Sequence, residues 1–138
     1  MNHSFLNIDQ GLDANIPTVF LPGWGFDGRT LQLLYPLPSW IYPETFLDPD
    51  TIEQNILRLA TECKIKRIRI IGWSLGAMLG LNFAARYPEK VAALTLFSLR
   101  PIWPKAEIAK LQVEFAEKPE AFLKNFYRKC FLGDKQSY

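Results

Sequence analysis

Ser74 stands between two glycines in the run Gly72-Trp73-Ser74-Leu75-Gly76, with the β-branched stretch Ile68 to Ile71 before it and an apolar stretch after it. A sharp turn from strand to helix would strain the backbone at Ser74 and lift its hydroxyl clear of a sheet. That is how a serine is presented as the nucleophile of acyl transfer. Glycines at 72 and 76 fit the bend, because side chains there would collide with the neighbouring strand and helix. A helix beginning at Leu75 would also aim free N–H groups and its positive dipole end at the reacting oxygen. A plain βα turn that needs small residues, with Ser74 as an N-cap, is the alternative reading.

Acyl transfer also needs two backbone N–H donors converging on the negative charge that develops on the carbonyl oxygen. Leu75, next after the serine, is one candidate. The other should come from a loop after an earlier strand, where Pro22-Gly23-Trp24-Gly25 follows the β-prone Thr18-Val19-Phe20-Leu21. Trp24 is that candidate, against the reading of an ordinary glycine-rich turn. A base must then take the serine proton. His3 is the only histidine, and it precedes the first clear strand, on the wrong side of the order Ser, Asp, His. No carboxylate is singled out: Asp48 and Asp50 come before the serine, and Asp134 sits in the tail.

The elements that must position these groups alternate. Strands are predicted over Ile16–Leu21, Trp40–Tyr42, Lys66–Ile71 and Val91–Phe97. Between them fall a short helix over Thr30–Tyr35, a helix opened by Asp50-Thr51 with Thr51 and Gln54 as a capping box, and a helix over Leu75–Tyr87. The last is apolar on nearly every side and is expected to be buried. This succession argues for a parallel sheet covered by helices. From Pro104 the pattern becomes two helices divided by Pro119, with Gly133 as a C-cap.

With 138 residues the chain is long enough for a real core, burying roughly two-thirds of its unfolded surface. Sixteen Lys and Arg against fourteen Asp and Glu leave a net charge of +2, too slight to imply a nucleic-acid or membrane partner. Cys63 and Cys130 have no paired spacing and no histidine cluster, so free thiols in a reducing compartment are expected, and no disulfide framework, metal or cofactor. Met1 to Asn15 lacks a basic start followed by an apolar run, so no signal peptide is expected. The address expected is the cytoplasm.

Leu21-Pro22-Gly23-Trp24-Gly25, Ile71-Gly72-Trp73-Ser74-Leu75-Gly76 and Tyr87-Pro88-Glu89-Lys90-Val91 together resemble the α/β-hydrolase fold. Within it they are most similar to the pimeloyl-[acyl carrier protein] methyl ester esterases of biotin synthesis. The resemblance covers Thr18 to Arg100 and, more loosely, the two later helices. It implies an α/β fold: the N-terminal part of a mostly parallel hydrolase sheet over 1–103, then the start of a helical cap over 104–138. It implies Ser74 as nucleophile, Trp24 and Leu75 as oxyanion donors, and Phe122, Leu123, Lys124, Asn125 and Phe126 as lining for an acyl channel. Trp73, Trp24 and the later phenylalanines would offer an apolar site for the acyl chain.

Three departures stand out. Pro22 replaces the family's usual histidine, Tyr42 to Asp48 lacks its usual Pro-Gly-x-Gly run, and the family's catalytic Asp and His fall after the cap, beyond Tyr138. The chain is therefore expected to be a truncated esterase that is inactive alone, with a non-catalytic binding module or half of a split enzyme as alternatives. A sheet ending at Val91–Phe97 would leave an edge unpaired, which disfavours the self-sufficient module. The substrate implied is an acyl ester, small or carrier-bound. Lys118, Lys124, Arg128 and Lys129 would form either a face for an acidic acyl carrier protein or simply a solvated helix face.

Overall fold

A computed structural model of the chain describes residues 7–8, 16–32 and 40–131. His3, Asp134, Gly133 and the Leu33–Tyr35 end of the first predicted helix lie outside these residues. The chain divides into two compact units, Met1–Arg100 and Pro101–Tyr138.

The first unit is built on a five-stranded sheet in the order β1-β3-β2-β4-β5. Its strands are β1 (Asn7–Ile8), β2 (Thr18–Leu21), β3 (Trp40–Tyr42), β4 (Ile68–Trp73) and β5 (Val91–Phe97). β1 is antiparallel to β3 and was not foreseen from the sequence, being only two residues long. The other four strands run parallel. Helices α1 (Arg29–Gln32), α2 (Ile52–Glu62) and α3 (Leu75–Arg86) connect them.

Alternation along the strands decides what is buried. Val19 and Leu21 of β2, Ile41 of β3, and Ile68 and Ile70 of β4 point to one face. They form a single core with Ile52, Ile56 and Leu59 of α2 and Phe83 of α3. Arg69, between two core isoleucines, is exposed. On β5 the alternation leaves Ala93, Thr95 and Phe97 exposed, and among the described residues β5 pairs only with β4.

Two local expectations are corrected. Thr51 makes no capping bond. Asp48 heads α2 instead: its side chain accepts hydrogen bonds from the Asp50 amide and the Thr51 hydroxyl, and its carbonyl accepts one from the Ile52 amide. A carboxylate three residues upstream outcompetes the Thr51 hydroxyl for the role. Helix α3 is not buried all round. Gly76, Ala77, Gly80 and Phe83 face the sheet, whereas Leu81 is 42% exposed. Apolar composition does not say which faces of a helix find cover.

The strand order places the site. From β2 the chain goes to β3 on one side, then crosses over β2 through α2 to reach β4, and continues outward to β5. The loops leaving the carboxyl ends of β2 and β4 thus diverge, and such a switch point opens a crevice. Residues 22–28 and Ser74 lie on those two loops.

The second unit holds α4 (Lys105–Glu117) and α5 (Pro119–Cys130), separated by Lys118. Pro119 opens α5, where its missing N–H costs nothing. The rings of Phe115 and Phe122 meet edge to face at 5.5 Å across the turn.

Candidate active site

Strand β4 ends at Trp73 and helix α3 begins at Leu75, so Ser74 alone makes the turn. Its φ of 54° and ψ of −111° lie where L-residues rarely go, a conformation that costs about 1–3 kcal/mol and persists only when its surroundings impose it. The constraint comes from both sides. The Ser74 amide donates to the Phe97 carbonyl of β5 at 2.9 Å, and the Ser74 carbonyl accepts from the Ala77 and Met78 amides. The hydroxyl does not cap α3. It has no hydrogen-bond partner among the described residues, and it is not sealed from solvent. The N-cap reading fails on this geometry.

The flanking glycines answer to close approach. A Cβ on Gly72 would stand 2.5 Å from the Gly76 carbonyl oxygen and 2.7 Å from the Ala77 Cα; one on Gly76 would overlap the Leu21 carbonyl. Strand β2 presses on the first turn of α3 because Leu21 pairs with Gly72, and the Gly76 amide donates to the Pro22 carbonyl at 3.0 Å. Gly76, Ala77 and Met78 thus spend their amides on Pro22 and Ser74. The Leu75 amide is left without an acceptor among the described residues.

The loop after β2 turns tightly. Gly25 has φ of 76°, and the Phe26 amide donates to the Gly23 carbonyl at 3.1 Å. Trp24 and Gly25 form the tip, with Trp24 45% exposed. The far end of the loop is tied to the residue after β3: the Gly28 amide donates to the Pro43 carbonyl. Trp24, Ser74 and Leu75 therefore share the carboxyl ends of neighbouring strands. Phe122, Leu123, Lys124, Asn125 and Phe126 all lie on α5 in the second unit.

The sequence reading missed Asp27, the one buried charged residue among those described. Its carboxylate accepts hydrogen bonds from the Arg29 amide and from Nε and Nη2 of the Arg29 guanidinium. The Thr30 hydroxyl and amide donate to its carbonyl. These bonds, chiefly the one from the Arg29 side chain, hold the Asp27 carboxyl below its ordinary value against the opposing effect of burial. An aspartate beside a glycine reads as a turn residue, so only its burial distinguishes it.

The described residues include no histidine and no metal-binding cluster. A cleft of about 100 Å³ between α2 and α3, lined by Leu21, Glu53, Asn82 and Arg86 among others, does not include Ser74. No described helix is long and apolar enough to cross a membrane.

A parallel sheet with a strained serine between strand and helix defines an α/β protein of the hydrolase type. The chain belongs to the α/β-hydrolase fold family, whose model matches residues 50–136. Among curated proteins it is 30% identical to the biotin biosynthesis bifunctional protein BioHC of Teredinibacter turnerae, over 86% of this chain and 26% of that protein. It is also 30% identical to the pimeloyl-[acyl-carrier protein] methyl ester esterase of Aromatoleum aromaticum, over 84% of this chain and 56% of that protein. The chain thus spans little more than half of the one and about a quarter of the other. A solved hydrolase from Pseudomonas aeruginosa superposes with a TM-score of 0.68 at 16% identity, covering 95% of this chain and 57% of that one; it shares the fold. The family resemblance drawn from the three sequence motifs is borne out.

Proposed function

We propose that the chain carries the nucleophile and oxyanion site of a serine ester hydrolase acting on an acyl ester. The observation that carries this is Ser74 itself: a non-glycine residue at φ 54°, its hydroxyl uncapped at the strand-to-helix turn. In the reaction Ser74 Oγ attacks the ester carbonyl and loses its proton to a base. The oxyanion is held by the Trp24 and Leu75 amides, the alcohol departs, and water then hydrolyses the acyl-enzyme. The described residues include no histidine to serve as that base. A pimeloyl methyl ester on an acyl carrier protein is the substrate supported by the curated relatives' names. Phe122, Leu123 and Phe126 would line its acyl channel with Lys124 and Asn125, and Lys118, Lys124, Arg128 and Lys129 would meet the acidic carrier. The free thiols of Cys63 and Cys130, both exposed, favour a cytoplasmic setting.

The test is covalent labelling of the intact chain by a fluorophosphonate probe, with and without added imidazole as an external base. Labelling at Ser74 that imidazole accelerates, and that vanishes in Ser74→Ala, is expected. Labelling elsewhere, or none in either condition, would overturn the assignment.

A further inference from the structure

Trp73 immediately precedes Ser74 and pairs in register with Phe97, whose carbonyl holds the Ser74 amide. Its indole is half-buried and packs against the loop after β2. The Cε3, Cζ3 and Cδ2 atoms stand 3.2–3.4 Å from the point where a Gly23 side chain would begin. The Phe26 ring lies 4.9 Å away at 53°. Gly23 and Phe26 are the two ends of the turn that carries Trp24 at its tip, closed by the bond from the Phe26 amide to the Gly23 carbonyl. One rigid ring, anchored one residue from the serine, therefore supports both feet of the oxyanion loop.

Resting on the reading of Ser74 as nucleophile, we infer that Trp73 is a positioning residue that sets the Trp24 amide against the serine. The physical need is tolerance: a donor helps only when held about 2.7–3.1 Å from the developing oxyanion, and losing one costs about 10²–10³ in rate. The sheet fixes Ser74 and Pro22, but beyond Gly23 the loop leaves it, and the indole is the surface on which that loop rests. A flat ring that fills the space under a glycine can do this, whereas a smaller side chain would leave a gap into which the loop could sink.

The experiment measures sulfonylation of Ser74 in the intact chain with imidazole present. In that step the serine oxygen bonds to sulfur, fluoride leaves and the base keeps the proton. Methanesulfonyl fluoride and octanesulfonyl fluoride are compared by mass, with Ser74→Ala as blank. Trp73→Ala is expected to lose at least tenfold in rate, by the same factor for both probes, and Trp73→Phe to recover most of it. Phe26→Leu, which alters the other side of the contact, should lose rate in the same probe-independent way, and it serves if Trp73→Ala does not fold. A loss confined to the octyl probe would make Trp73 an acyl-site wall and overturn the inference. So would unchanged rates in folded variants. If the wild-type chain is not modified by either reagent, the nucleophile assignment itself falls, and this inference with it.

Discussion

The amide of Gly76, in the first turn of α3, donates at 3.0 Å to the carbonyl of Pro22, in the loop after β2 more than fifty positions earlier. The contact locks the loop after β2 to the first turn of the helix after the serine. It is possible only because Gly76 has no side chain where the Leu21 carbonyl passes. Gly76→Ala should therefore cost about 3 kcal/mol or more, as forced overpacking against backbone does. Gly72→Ala should behave alike, with the Gly76 carbonyl 2.5 Å from the new carbon. Gly80→Ala is the contrast: its nearest neighbour is a methyl of Ile70 at 3.0 Å, and the gain of about 1 kcal/mol in helix propensity offsets the crowding. Thermal denaturation followed by circular dichroism separates the three.

Ser74→Gly should stabilise the chain while abolishing its labelling. The backbone at φ 54° and ψ −111° suits glycine, and relieving it is worth up to about 1 kcal/mol after the added freedom of the unfolded chain is counted. Urea midpoints of the wild type and this variant measure the effect. A lower midpoint for the glycine variant would mean that the turn is not strained.

Asp27 makes stability depend on acid. Its carboxyl is held below the ordinary value by Arg29, so the contribution is fully present above about pH 4 and is lost as pH falls through the lower folded value. Asp27→Asn should melt below the wild type near neutrality, and the gap should narrow steadily as pH is taken from about 5 towards 2. The loss in Asp27→Ala should be about 1 kcal/mol, since the Arg29 side chain is solvent-exposed and screened. Melting curves of the three proteins across that range supply the test.

Reversing charge at Arg128 and Lys129 tests the proposed carrier contact. Both residues are exposed in the last turn of α5, where Arg128 Nη2 donates only weakly, at 3.3 Å, to Asn125. Arg128→Glu with Lys129→Glu should weaken binding of an acidic acyl carrier protein roughly tenfold, more at low salt, by removing electrostatic complementarity. Modification by methanesulfonyl fluoride should not change. Titration of the carrier at two ionic strengths reads the difference, and an unaltered affinity would leave these residues as a solvated face.

The elbow was legible because its requirements are local. Two glycines around a serine, between a β-branched run and an apolar run, already impose a bend on any chain that folds them as strand and helix. The β-prone and β-branched runs likewise announced strands, and the four parallel strands came out at or near their expected positions. The capping bonds of Asp48 and the exposed side of α3 were not legible, because each depends on which neighbours the fold brings close. Asp27 looked like any turn aspartate until the fold buried it.

By itself the amino-acid order determined the local conformations: where the backbone must turn, which side chains alternate and where a hydroxyl would be pushed out. Only the tertiary structure decided which distant groups meet around that turn. The Pro22 carbonyl on Gly76, the Phe97 carbonyl on Ser74 and the Trp73 ring beneath Gly23 all depend on strand order and register. Those are settled by how a whole sheet buries its apolar face, a sum over many residues that no single motif encodes.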